Sequence, residues 1–156
     1  MSRDRDGSGR PRNARPRDVL GRPLPAGSGE AVPRIPDDLN LPPAETISYA
    51  QELIDGGRAF NAHEVFEAAW KNGPGDERRL WQSLAQLAVG ITHIQRGNRD
   101  GAAALLRRGG DGLGQVDPAH GIDVAGLVVW AAGLVDDLNA GSEIEPERLR
   151  PRVTLR

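Results

Sequence analysis

Apolar residues recur at helical spacing in five separate stretches of the chain. Between Ala44 and Asp55, the residues Ile47, Ala50, Leu53 and Ile54 fall on one stripe. This is the three-and-four spacing of a helix that buries one face. Pro43 before it and Gly56-Gly57 after it are start and stop signals. A second helix, Phe60 to Trp70, carries Ala62, Val65, Phe66, Ala69 and Trp70 on a broad apolar face, and Lys71-Asn72-Gly73-Pro74-Gly75 ends it. The third runs from a cap at Asp76 to about Arg96. Leu80, Leu84, Leu87, Ile91 and Ile94 share a face and Ala85, Ala88, Val89 and Thr92 flank it, so this helix is expected at the centre of the bundle. Gly90 lets a neighbour approach closely. Asn98 can cap a fourth helix, Ala102 to Arg108, with Leu105 and Leu106 inward. Asp123 caps a fifth, Val124 to Asn139, apolar nearly all round through Val135. The pattern predicts an all-α fold: a compact bundle of about five helices.

The polar positions divide the rest. Residues 1–36 are rich in Arg, Pro, Gly, Ser and Asp, and hold too little apolar surface to offset the entropy of ordering. They are expected to be disordered. Residues 37–141 form the bundle domain. From 142 to 156 charges alternate with Ile144, Leu149, Val153 and Leu155, interrupted by Pro146 and Pro151, which predicts an extended tail lying over the bundle.

The second helix carries most of the polar chemistry. Asn61 suits an N-cap and Glu64 a capping-box position pointing outward. His63 and Glu67, one turn apart, border the apolar face beside Trp70. The third helix brings Gln82, Gln86 and His93 on a narrow arc. A buried amide or imidazole without a partner costs about 1–3 kcal/mol, so the residues point to one polar cluster of His63, Glu67, Trp70, Gln86 and His93. The alternative is that the third-helix arc faces solvent.

Length and charge narrow the functional classes. At 156 residues the chain suits one domain. With no cysteine it has neither disulfides nor thiol chemistry nor a cysteine-based zinc site. The basic N-terminus has no apolar core, and the longest apolar run, Val124 to Val135, is too short to span a bilayer. The expectation is a soluble cytoplasmic protein with no membrane partner. Residues 1–36 hold eight Arg against four acids, whereas the remainder holds twelve bases against eighteen acids. A mildly acidic folded part argues against nucleic acid as its partner. The fifth helix, 124–139, is the candidate surface for homo-oligomer formation.

The stretch Gly57-Arg58-Ala59-Phe60-Asn61-Ala62-His63-Glu64 with Glu67 and Trp70 is followed by Leu84-Ala85-Gln86-Leu87-Ala88 and His93. Then come Gly97-Asn98, Gly101-Ala102 and Leu105-Leu106. Over residues 44–140 this resembles the bacterial and archaeal family called domain of unknown function number 309. The resemblance implies a compact all-α bundle with no established activity. It marks His63, Glu64, Glu67, Trp70 and Gln86 as the residues of interest, on an HExxE-x-x-W helix.

Two functional readings stand. One is a small enzyme or metal protein. His63, with Glu64 or Glu67 orienting its ring, would be the catalytic base. A divalent metal, the cofactor suggested by these side chains, would take His63, Glu67 and His93. The zincin pattern would need a second histidine where Glu67 stands. The other reading is a non-catalytic protein-interaction module in which the His/Glu cluster is structural. Gly97 to Ala102 resembles a tetratricopeptide turn, but no second copy follows at the expected period.

Overall fold

The structure, a computed structural model, describes residues 18–22 and 34–155. It is all-α, with five helices: α1 (Pro43–Asp55), α2 (Ala59–Asn72), α3 (Arg78–Gln95), α4 (Arg99–Leu113) and α5 (Val124–Asn139). No strand forms among the described residues; the only extended pairing there is a single bridge between Ile122 and Thr154.

Each helix packs on its neighbour in the chain, and α3 packs on both α2 and α4. This follows from the turns. Gly57 and Gly97 adopt φ of +76° and +79°, a left-handed conformation open to a residue without Cβ. At each, the two following N–H groups fold back on the helix end: Gly57 N–H donates to Ile54 O and Arg58 N–H to Leu53 O, and Gly97 and Asn98 repeat this on Ile94 and His93. Such closure sends the chain straight back, so α1–α2 and α3–α4 are helical hairpins.

The centre is α3, buried through Leu80, Trp81, Leu84, Ala85, Leu87, Ala88 and Ile91. Gly90 is where α4 comes close. A Cβ there would lie 2.8 Å from Leu106, itself fully buried. The glycines of α4 serve the same contact: a Cβ at Gly109 would meet Leu87 at 2.9 Å, and one at Gly112 would sit 2.2 Å from Ser83 Oγ. The fourth helix, read over Ala102 to Arg108 with its continuation into the glycines left open, begins at Arg99. It continues to Leu113, because the close approach to α3 outweighs the poor helix propensity of glycine. Asn98 and Asp123 cap α4 and α5 as read, accepting from Gly101 N–H and Gly126 N–H at 3.0 Å each. Asp76 does not cap α3. It lies in a short 3₁₀ turn, Gly75–Glu77, and the N-cap residue is Glu77, whose side chain makes no capping bond. On α5, Val129 is 72% exposed, on the helix read as a candidate oligomer surface.

The tail from residue 142 lies across the bundle as an extended segment with one 3₁₀ turn, Pro146–Leu149. Val153 enters the core, and its N–H donates to Gln51 Oε1 at 2.8 Å while Gln51 Nε2 donates to Pro151 O at 3.0 Å. At the other end, residues 18–22 and 34–36 of the segment expected to be disordered are among the described residues. Ile35 is buried in the core, and Arg34 lies against α2. Residues 18–22 form a small turn in which Asp18 Oδ1 accepts from Leu20 and Arg22 N–H. Residues 1–17 and 23–33 of that expectation lie outside the described residues.

Candidate functional site

The polar chemistry of α2 is arranged by where the helix begins. The turn at Gly57 feeds directly into Ala59, with Arg58 as the N-cap residue and no side-chain cap. Asn61 is therefore not the cap but lies inside the first turn, 2% exposed. Its Nδ2 donates to Glu64 Oε1 at 3.1 Å.

Glu64, expected to point outward, is buried with 7% of its side chain exposed. The reason is Arg34, which lies across it. Nε and one terminal nitrogen of the guanidinium both donate to Glu64 Oε2, at 2.8 and 2.7 Å. The carboxylate thus has one oxygen on an amide and the other on a guanidinium, the pairing a buried charge needs.

His63 and Glu67 sit on the adjoining strip. His63 Nδ1 lies 2.7 Å from Phe60 O, and Nε2 lies 3.3 Å from Glu67 Oε1. A carbonyl can only accept, so Nδ1 is set as a donor, and Nε2 faces the carboxylate. Glu67 Oε2 is also 3.8 Å from Lys71 Nζ. The Phe60 ring tilts against the imidazole, with centroids 4.9 Å apart. Gly21 rests on the far side of Phe60, where a Cβ would fall 2.3 Å from the ring.

The five-residue cluster expected from the sequence is divided by the structure. His63 and Glu67 are together. Trp70 carries the Arg78 guanidinium 5.3 Å above its ring. Gln86 lines a cleft of about 520 Å³ between α3 and α4, with Arg79, Gln82, Arg108 and Asp111. His93 turns to the helix end, where Asn98 Nδ2 donates to its Nδ1 at 3.2 Å. Among the described residues, no three His, Asp or Glu side chains are grouped so as to hold a metal ion. The set His63, Glu67 and His93 is corrected accordingly. The α3 arc faces α4 and the helix end, and His63 satisfies itself within its own helix.

Two groups titrate away from their ordinary values. The hydrogen bond from His63 is the main cause that lowers the Glu67 pKa; burial opposes it, and the charges of His63, Lys71 and Arg34 add to it. The His93 pKa is lowered by burial first, then by Arg96. The stability that Glu67 contributes is present above its unfolded pKa, near 4.5, and is lost as pH falls through its lower folded value. For His93 the unfolded chain binds the proton more readily, so the fold loses stability as pH falls below about 6.5 toward the folded value. His93→Asn should flatten the pH dependence of the urea midpoint just below pH 6.5, while Glu67→Gln should flatten it below about 4.5.

Reading the sequence alone missed Arg34 and His120. Thirty residues separate Arg34 from Glu64, and no local pattern joins them; the one hint is the apolar Ile35 beside it. His120 stacks on Trp81, with centroids 5.8 Å apart, and its Nε2 lies 3.0 Å from Glu77 Oε1.

Comparison with known proteins agrees with the resemblance read from the residues. Residues 47–105 match the family model described as Domain of unknown function (DUF309). The Uncharacterized protein YpuF of Bacillus subtilis (strain 168) is 37% identical over 65 residues, which make up 41% of this chain and 37% of that protein. The chain thus spans little more than a third of the length of the curated relative it matches. No solved structure matches the chain.

Proposed function

We propose that this chain, with its DUF309 segment at residues 47–105, works as a non-catalytic helical interaction module in which the His63–Glu67 pair is structural. One observation carries the reading. His63 faces Phe60 O and Glu67 on its own helix, and among the described residues no three His, Asp or Glu side chains gather into a group that could hold a metal ion. Glu64, the other carboxylate of an enzymatic reading, is already held by Asn61 and Arg34. Self-association through α5, with Val129 outward, belongs to the same reading, and the proposed setting is the cytoplasm. No described helix is long and apolar enough to cross a membrane.

Elemental analysis of untagged protein beside His63→Ala tests it. The expected result is no stoichiometric zinc, iron or manganese in either, together with a stability loss of about 1–2 kcal/mol in the variant from two hydrogen bonds. Stoichiometric metal in the wild type that disappears in both His63→Ala and Glu67→Ala overturns the reading in favour of a metal protein.

A further inference from the structure

From the Arg34 contact we infer that α2 carries a guanidinium-binding niche, built by Asn61 and Glu64 with Glu67 beside them, and that its partner is an arginine side chain presented by a peptide, with Arg34 as the resident occupant in cis. The inference rests on the reading of the chain as an interaction module.

The niche has the features of a built site. Its central carboxylate is buried, and it is oriented from within the helix by Asn61, which is itself 2% exposed. Its other oxygen takes two nitrogens of one guanidinium. Such forked donation belongs to arginine, because a lysine ammonium offers a single nitrogen. Glu67 adds a second negative charge within electrostatic reach of the same guanidinium.

The occupant differs in kind from the niche. Asn61, Glu64 and Glu67 lie inside the segment that matches the family, on a helix held by the core. Arg34 lies outside that segment, in non-helical chain ahead of α1. It is anchored nearby by Ile35 in the core and by Asn72 Nδ2, which donates to Asp37 O and Leu39 O. An arginine tethered this closely has a high effective concentration, so it masks the niche against free competitors. Removing the guanidinium unmasks the niche without touching its walls.

The test is a titration of wild type and Arg34→Ala with Nα-acetyl-arginine methylamide and with its lysine analogue, followed by calorimetry and by the α2 amide signals. Since affinity scales with the fraction of niche that is open, Arg34→Ala should bind the arginine probe about tenfold or more tighter than wild type. The lysine probe should bind clearly more weakly, and Arg34→Ala/Glu64→Gln should lose the gain. Equal binding by wild type and Arg34→Ala, or equal binding of the two probes, overturns the inference. Should Arg34→Ala fold poorly, added methylguanidinium must restore its melting temperature more than methylammonium does; absence of that rescue also overturns it. Failure of this experiment removes the arginine niche, whereas the module reading falls only on the metal analysis of His63 and Glu67.

Discussion

Trp81→Ala should destabilise the protein by about 3–5 kcal/mol, the usual cost of deleting a large buried aromatic side chain. For a domain whose whole stability is about 5–15 kcal/mol, that is a major part. Trp81 is 2% exposed and lies between two rings, Phe66 at 6.4 Å and His120 at 5.8 Å. Its Nε1 donates to Glu77 Oε1 at 3.1 Å, the oxygen that also faces His120 Nε2. Deleting the indole therefore opens a cavity between α2 and α3 and removes the platform of the loop around His120. The other side of that loop is tied to the tail, where Leu155 N–H donates to Gly121 O at 2.8 Å. Urea unfolding measures the loss, and Trp81→Phe, which keeps a ring but not the N–H, should retain most of the stability. Trp70→Ala is the contrast. Trp70 is only half-buried and carries Arg78 on its face, a contact worth about 0.5–1 kcal/mol at such a site. Equal losses at the two tryptophans would contradict the placement of Trp81 at the centre.

What was legible in the sequence follows from how far apart the interacting residues are. The five helices are local patterns, and so are the turns at Gly57 and Gly97 and the caps at Asn98 and Asp123. Gly90 was readable as a close-approach point because a glycine on an otherwise buried helix has few other uses; its partner, Leu106, was not. The run Gly109-Gly110 with Gly112 reads locally as a helix end. It is a packing surface instead, because Ser83 and Leu87 lie where its side chains would be, and that contact spans more than twenty residues. The polar residues were least legible. A stripe such as Gln82, Gln86 and His93 has several places to go, and the spacing alone cannot choose between α2, α4 and solvent. Glu64 shows the same limit from the other side: its burial is set by Arg34, in a stretch whose composition reads as unfolded. The segment's average was informative, but its one apolar residue, Ile35, and its neighbouring guanidinium behave as part of the bundle.

The Arg34–Glu64 pair should show a coupling free energy of about 1–3 kcal/mol in a double-mutant cycle, well above the 0.2–1 kcal/mol usual for exposed ion pairs. Glu64 is 7% exposed and Arg34 32%, so the pair is buried at the acid and open to water at the base. Arg34→Ala leaves a carboxylate with Asn61 as its remaining partner, although water can enter where the arginine lay; a loss of about 2–3 kcal/mol follows, below the 3–5 kcal/mol of a fully enclosed pair. Glu64→Ala takes the carboxylate from both the buried Asn61 amide and the guanidinium, and should cost a similar amount. The double variant should be little worse than either single one, since the charge that makes each deletion costly is then gone from both sides. That near-equality is the diagnostic outcome. Were Glu64 the outward capping residue that its spacing from Asn61 suggests, Glu64→Ala would cost on the order of 1 kcal/mol or less and would not depend on Arg34. Additive single losses, with coupling under about 0.3 kcal/mol, would show that Arg34 merely rests on α2 and does not hold its carboxylate.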